Sequence, residues 1–179
     1  MSVDETMLSP AASGRYFEAT WGAQLKAITA GVSCLLLGLC VYSLWQLLNG
    51  AIGISFVGTV MPLVLLACAA LFTVRGYSVS ADRLTVHRLG WSHNIELSEL
   101  SSARYVPGAM TGSIRTFANG GLFAFAGNYY DSRLGAYRAY VTDGAKSVVL
   151  KFKDKTIVVS PDDPEEFIAA LRPAGKSVW

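Results

Sequence analysis

The chain has 179 residues, 52% of them hydrophobic, a mean hydropathy of +0.38 and a net charge of +2. So weak a charge excludes the electrostatic footprint of a nucleic-acid-binding protein. The three cysteines, Cys34, Cys40 and Cys68, all fall within apolar segments, which excludes a disulfide framework for the polar part of the chain.

The apolar excess is local. No residue from Ala27 to Val74 is charged. That run is about twice the ~20 residues that span a ~30 Å hydrocarbon core. Asn49, Gly50 and Gly53 interrupt it near its middle. Two transmembrane helices, at 26–48 and 54–74, joined by a very short turn, are therefore expected, with Pro62 kinking the second. The first 14 residues read as a polar, disordered segment. Tyr16, Phe17 and Trp21 precede the first span and are the kind of aromatics that settle at headgroup level. The first span reads as a signal anchor, with no cleavable signal before it.

Arg15 and Lys26 lie before the first span, and Arg75, Arg83 and Arg88 after the second, whereas the connecting turn has no Lys or Arg. The positive-inside rule then places both termini in the cytoplasm of the cell (inner) membrane. Ala27, Gly31, Cys34 and Gly38 form a small-residue stripe on the first helix. It suits packing against the second helix or self-association between chains.

From residue 75 onward the periodicity is that of strands. Tyr77/Val79, Leu84/Val86 and Ile95/Leu97 alternate with polar residues, and segments 136–143, 147–153 and 156–160 are rich in Val, Ile and Tyr. Asp143-Gly144 and Asp154-Lys155 mark turns. In Asp162-Asp163-Pro164-Glu165-Glu166 a capping Asp, a first-position Pro and first-turn acids open a helix, with Phe167, Ile168 and Leu171 on its apolar face, ending near Arg172. The expected fold is membrane-anchored α+β. A transmembrane helical hairpin precedes about seven antiparallel strands, capped by a C-terminal helix. The segments are 1–25 (cytoplasmic), 26–74 (hairpin), 75–172 (soluble domain) and 173–179 (tail).

Tyr77-Ser78-Val79-Ser80, Arg83-Leu84-Thr85-Val86 and Ile95-Glu96-Leu97-Ser98-Glu99-Leu100 carry a resemblance. So do Thr116-Phe117-Ala118-Asn119-Gly120-Gly121-Leu122-Phe123, Tyr140-Val141-Thr142-Asp143 and Ser160-Pro161-Asp162-Asp163-Pro164-Glu165-Glu166-Phe167. Over 76–172 the chain resembles the bacterial pleckstrin-homology-like (PH-like) domains of small membrane proteins. The resemblance implies a barrel or sandwich of two strongly bent sheets capped by the helix, and no activity, since that fold hosts many kinds of binding module.

Between Pro107 and Gly135 glycines alternate with aromatics. Phe117, Asn119, Gly120, Gly121, Phe123, Phe125, Tyr129 and Tyr130 are the candidate interaction surface. The competing interpretation is a bulged hairpin whose rings fill the core. Leu122 to Phe125 could also dip into a bilayer. Lys151, Lys153 and Lys155 at period two, with Arg75, Arg83 and Arg88, are the candidate lipid-headgroup contacts, weighed against a solvated face. His87 and His93 lack a metal-ligand pattern. Ala174-Gly175-Lys176-Ser177 lacks the first glycine of a phosphate-binding loop, and no nucleophile-elbow motif occurs. The sequence thus points to a non-enzymatic module with no cofactor. It would bind a protein or peptide partner, self-associate, or bind the anionic membrane surface. The alternative is a small structural or regulatory subunit working through its helices.

Overall fold

A computed structural model describes residues 14–51 and 53–171, with the backbone alone for 117–120. The segment before residue 14 and the tail after 171 lie outside the described residues. The chain opens with strand β1 (Arg15–Glu18), enters helix α1 (Ala23–Leu48), returns through α2 (Ile54–Leu71) and passes directly into β2 (Val74–Val79). Then follow β3 (Arg83–Arg88), β4 (Ser92–Glu96), β5 (Leu100–Tyr105), β6 (Ile114–Gly120) and β7 (Phe125–Asp131). The chain continues through β8 (Gly135–Val141), β9 (Val148–Phe152), β10 (Thr156–Val159) and α3 (Pro164–Leu171).

The strands make two sheets, ordered β1-β2-β3-β4 and β5-β9-β10-β8-β7-β6. They face each other as an open sandwich and do not close into a barrel. Two expectations change here. The described residues hold ten strands where about seven are expected, and the β10–β8 pair is parallel. The link from β8 to β9 is long enough to skip one strand position, and the β9–β10 hairpin then folds β10 into the gap.

The larger correction is β1. Of the aromatics expected at headgroup level, Phe17 belongs to the core instead, because Arg15–Glu18 pairs antiparallel with residues 76–79 of β2, while Tyr16 stays exposed. Phe17 is buried edge-on against Phe167, with ring centres 5.2 Å apart. The PH-like sandwich is therefore completed by a strand that precedes the hairpin. Gly76 is required at this junction, because a Cβ there would run into the Tyr16 ring and the Phe17 carbonyl.

The main core lies between the sheets, around Tyr77, Leu84, Val86, Tyr140, Leu150 and Ile157. Helix α3 closes it with Phe167 and Leu171, both fully buried. Its start is capped as expected: the Asp163 carboxylate accepts from the Glu166 N–H at 2.9 Å. Tyr77 ties the sheets together. Its hydroxyl donates to the Tyr140 carbonyl (2.5 Å) and accepts from the Ser160 N–H (3.1 Å). A second cluster on the outer face of the larger sheet, around Tyr129, Tyr137 and Val149, is covered by Ala109 of the 106–113 loop.

At 1.5 Å per residue the 26 residues of α1 extend about 39 Å, and the 18 of α2 about 27 Å. Both are long and apolar enough to span a membrane and are mostly exposed. They meet through small groups. Ser43 packs on Gly58, the Cys40 thiol donates to the Thr59 carbonyl (3.3 Å), and Ser55 and Pro62 are buried.

Candidate functional site

The hairpin is inserted into the domain, and both of its ends are bonded to it. On the α1 side, the Ala19 N–H donates to the Arg75 carbonyl (3.2 Å) and the Gly22 N–H to the Thr142 carbonyl (3.0 Å). The Thr20 hydroxyl and the Lys146 ammonium (2.7 Å) both donate to Asp162. Burial pushes the Asp162 carboxyl up, but the Lys146 and Thr20 hydrogen bonds outweigh it and hold the group below its usual range. Leu25, in the first turns of α1, is completely buried. On the α2 side, Leu89 donates to the Thr73 carbonyl (3.0 Å), Gly90 to the Leu71 carbonyl (3.4 Å), and Trp91 stands edge-on to Phe72 at 4.9 Å.

The glycine-aromatic segment forms the β6–β7 hairpin, and its turn docks on α1. Thr29 donates its hydroxyl to the Gly121 carbonyl (3.2 Å) and accepts from the Phe123 N–H (3.1 Å). Phe123 has φ +65, a left-handed conformation costly for an aromatic residue. Gly121, at φ +104, has no room for a side chain: a Cβ would lie 2.9 Å from the Phe125 ring and 3.3 Å from Ile28. The Phe123 ring meets Trp21 edge-on at 5.9 Å.

The expected interaction residues therefore separate. Gly121 and Phe123 bind the turn to α1, whereas Tyr129 is buried and stacked on Tyr137 with ring centres 5.8 Å apart. Phe125 lines a cleft, and Tyr130 is exposed beside its β6 partner Ile114. Phe117, Asn119 and Gly120 pair through the β6 backbone with Asn128, Ala126 and Phe125; their side chains lie outside the described residues. The cleft, about 940 Å³, opens between the first turns of α1 and the 106–113 loop. Pro107, Met110 and Phe125 give it an apolar wall, and Ser113, Arg115 and Asp143 a polar one. The sequence carries no periodic signal for it, because its walls come from segments more than 80 residues apart.

The cationic candidates occupy different settings. Arg83 is paired with Asp82 (2.9 Å), which holds the Asp82 carboxyl below its usual range. Arg75 is exposed on β2. Lys151, Lys153 and Lys155 are exposed, but only Lys151 lies in a strand; the turn at Asp154 takes the other two out of the period-two register. Arg88 is half-buried, with its guanidinium carbon 4.8 Å from the centre of the Tyr140 ring. The small-residue stripe also lies elsewhere than expected for packing on α2. Ala27, Gly31, Cys34 and Gly38 are exposed, and nothing approaches a Cβ built at Gly31 or Gly38.

An open two-sheet sandwich capped by a C-terminal helix, joined to a hairpin of membrane-spanning length, defines a PH-like domain on an apolar anchor. The chain belongs to the bacterial PH domain family, whose profile matches residues 75–174. Strand β1 and the hairpin precede the matched region. No curated protein and no solved structure matches the chain. PH-like domains generally serve as binding modules, not catalysts.

Proposed function

We propose that this protein is a non-enzymatic, membrane-embedded interaction module. The hairpin crosses the cell membrane, both termini face the cytoplasm, and the domain offers the cleft beside α1 to a segment of a protein partner. One observation carries the reading: the hairpin interrupts the sandwich between β1 and β2, and the domain is hydrogen-bonded to both helix ends. A domain so attached keeps one orientation toward the lipid and presents the same surface to anything arriving along it. The exposed leucines and valines of both helices support insertion, since apolar surface on this scale does not stand in water. The cleft joins an apolar wall to a few polar groups, the usual make-up of a binding site.

A photo-reactive residue at Met110, in the cleft, is expected to give one discrete protein adduct in cells. The same residue at Ser132, exposed in the β7–β8 turn, is expected to give none. No adduct from Met110, or the same adducts from both positions, would overturn the cleft as the binding surface.

The outward position of Ala27, Gly31, Cys34 and Gly38 favours a second reading, a subunit that associates through α1. With Cys40 and Cys68 replaced by Ala, oxidation in membranes would trap a Cys34–Cys34 dimer under that reading and leave monomers under the first.

A further inference from the structure

One wall of the cleft leads into the apolar part of the chain. Gly22 to Leu25 line it, and of these Ala23 and Gln24 are exposed. Lys26 follows at once and is the last charge before the apolar run. At about 1.5 Å of rise per residue, those residues stand within ~6 Å of Lys26 along the helix axis. In a membrane-inserted chain, anything seated in the cleft is therefore seated at the membrane surface.

The same helix continues that wall downward. Ala23 lies one turn before Ala27, so it heads the line of Ala27, Gly31, Cys34 and Gly38, all of them small and exposed. The domain and α2 occupy the opposite face, through Leu25, Thr29, Cys40 and Ser43. A second helix lying along the open face of α1 would have its end at the cleft.

The chemistry of the cleft narrows the occupant. Its apolar wall asks for an apolar side chain. The Asp143 carboxylate is already engaged, accepting from the Ala145 N–H at 3.0 Å. Arg115, exposed in the wall, and Lys26, just below it, take part in none of the ion pairs among the described residues. The charge left to be met is positive. A second copy of this chain does not supply what is needed. Both ends of its hairpin are tied to its own domain, through Gly22 to Thr142 on one side and Leu89 to Thr73 on the other. Neither of its apolar helices runs on into a free segment.

We propose that the cleft receives the cytoplasmic juxtamembrane segment of a different membrane protein, whose transmembrane helix lies along the Ala27–Gly38 face of α1. The segment brings an apolar side chain to Met110 and Phe125 and an acidic one to Arg115. This rests on the cleft reading above and names the class of partner. Cytoplasmic segments beside membrane spans carry an excess of Lys and Arg. Arg115 and Lys26 repel those, so an acidic segment is selected from among many basic ones.

The test uses the full chain in its native membranes, with a photo-reactive residue at Met110 or at Gly31. Gly31 is open to such a change, since nothing approaches a Cβ built there. Both positions are expected to trap the same protein. Mass spectrometry should place the Gly31 attachment inside an apolar span and the Met110 attachment on its cytoplasmic side. Gly31 lies eight residues below Ala23, about 12 Å, so the two attachments should be roughly 4–10 residues apart, the lower figure for an extended segment. Arg115→Glu should lower the Met110 adduct roughly fivefold, and Arg115→Gln by less. Lys153→Glu, an exposed change in the β9–β10 turn, should leave it unchanged.

Different proteins trapped from Met110 and Gly31 overturn the proposal, as does a Met110 attachment far from any apolar span. A second copy of this chain trapped at Gly31 overturns it in favour of self-association. Parental adduct from both Arg115 variants also overturns it. A discrete Met110 adduct with a protein that has no apolar span removes the proposal and leaves the cleft as a binding surface. No adduct from Met110 removes both.

Discussion

Thr29→Val removes one hydroxyl and keeps the shape and β-branching of the side chain. That hydroxyl makes two contacts that hold the β6–β7 turn on α1, to the Gly121 carbonyl at 3.2 Å and from the Phe123 N–H at 3.1 Å. Thr29 is 6% exposed, so water does not readily replace the lost partner. A stranded buried backbone group costs about 1–3 kcal/mol. The strain of the left-handed Phe123 is carried by parent and variant alike, so the lost hydrogen bonds alone set the difference. Local opening of the turn should become easier by about 1–3 kcal/mol, a ~5- to ~150-fold rise in opening at tenfold per 1.4 kcal/mol. Hydrogen-exchange mass spectrometry of the full chain in lipid nanodiscs reads this directly. Residues 121–125 should lose protection by that factor, while the β9–β10 hairpin keeps its own. Exchange within about threefold of the parent would mean that the turn does not depend on α1 and that the clamp is misassigned.

Tyr77→Phe should destabilise the domain by ~2–4 kcal/mol, seen as a lower thermal midpoint, because the Tyr140 carbonyl and the Ser160 N–H both lose a buried partner. Burial pushes the Tyr77 hydroxyl up to about 12. A folded pKa above the unfolded one gives stability that is complete below about pH 10 and lost as pH rises toward 12; alkaline melts of Tyr77→Phe should therefore fall less steeply than those of the parent. Phe17→Ala and Phe167→Ala should each cost ~3–5 kcal/mol in chemical denaturation and sum to less in the double variant, because the two rings touch. Additive costs would mean that β1 is not part of the core. Gly58→Leu should disturb the hairpin, where a side chain would strike Ser43, whereas Gly31→Leu should leave its folding unchanged, as judged by helix content in micelles.

Much of the architecture was legible in the chain because its signals are local. An uncharged apolar run broken by Asn49-Gly50 specifies a helical hairpin, and Asp163-Pro164 opens α3 where the capping rules place it. Turn residues at Asp143-Gly144 and Asp154-Lys155 bound the strands that follow them. What was not legible depends on partners distant in sequence. Strand β1 has four residues, too few to establish a period, and its partner lies beyond the whole hairpin. Strand β5 buries Leu100 and Ala103, a spacing of three, because the register shifts between Leu100 and Ser102.

The candidate surface divided for the same reason. Glycines beside aromatics identified a special turn, but only the fold shows that Thr29 receives it. Alternation suggested a lysine face, whereas the turn at Asp154 separates the lysines. Arg88 stood out in sequence as one cation among several; its company of Arg138, His93 and Tyr140 arises from the crossing of β3 and β4 over β8.

The central claim is that the hairpin crosses the membrane and fixes the domain on its cytoplasmic side. Single cysteines at Asn49, in the helix–helix turn, and at Ser132, on the domain, test it on a background lacking Cys34, Cys40 and Cys68. With a membrane-impermeant maleimide, Asn49→Cys should label in intact spheroplasts, and Ser132→Cys only after the membrane is opened. Labelling of Ser132→Cys in intact spheroplasts, or of neither position until the membrane is opened, would contradict the account.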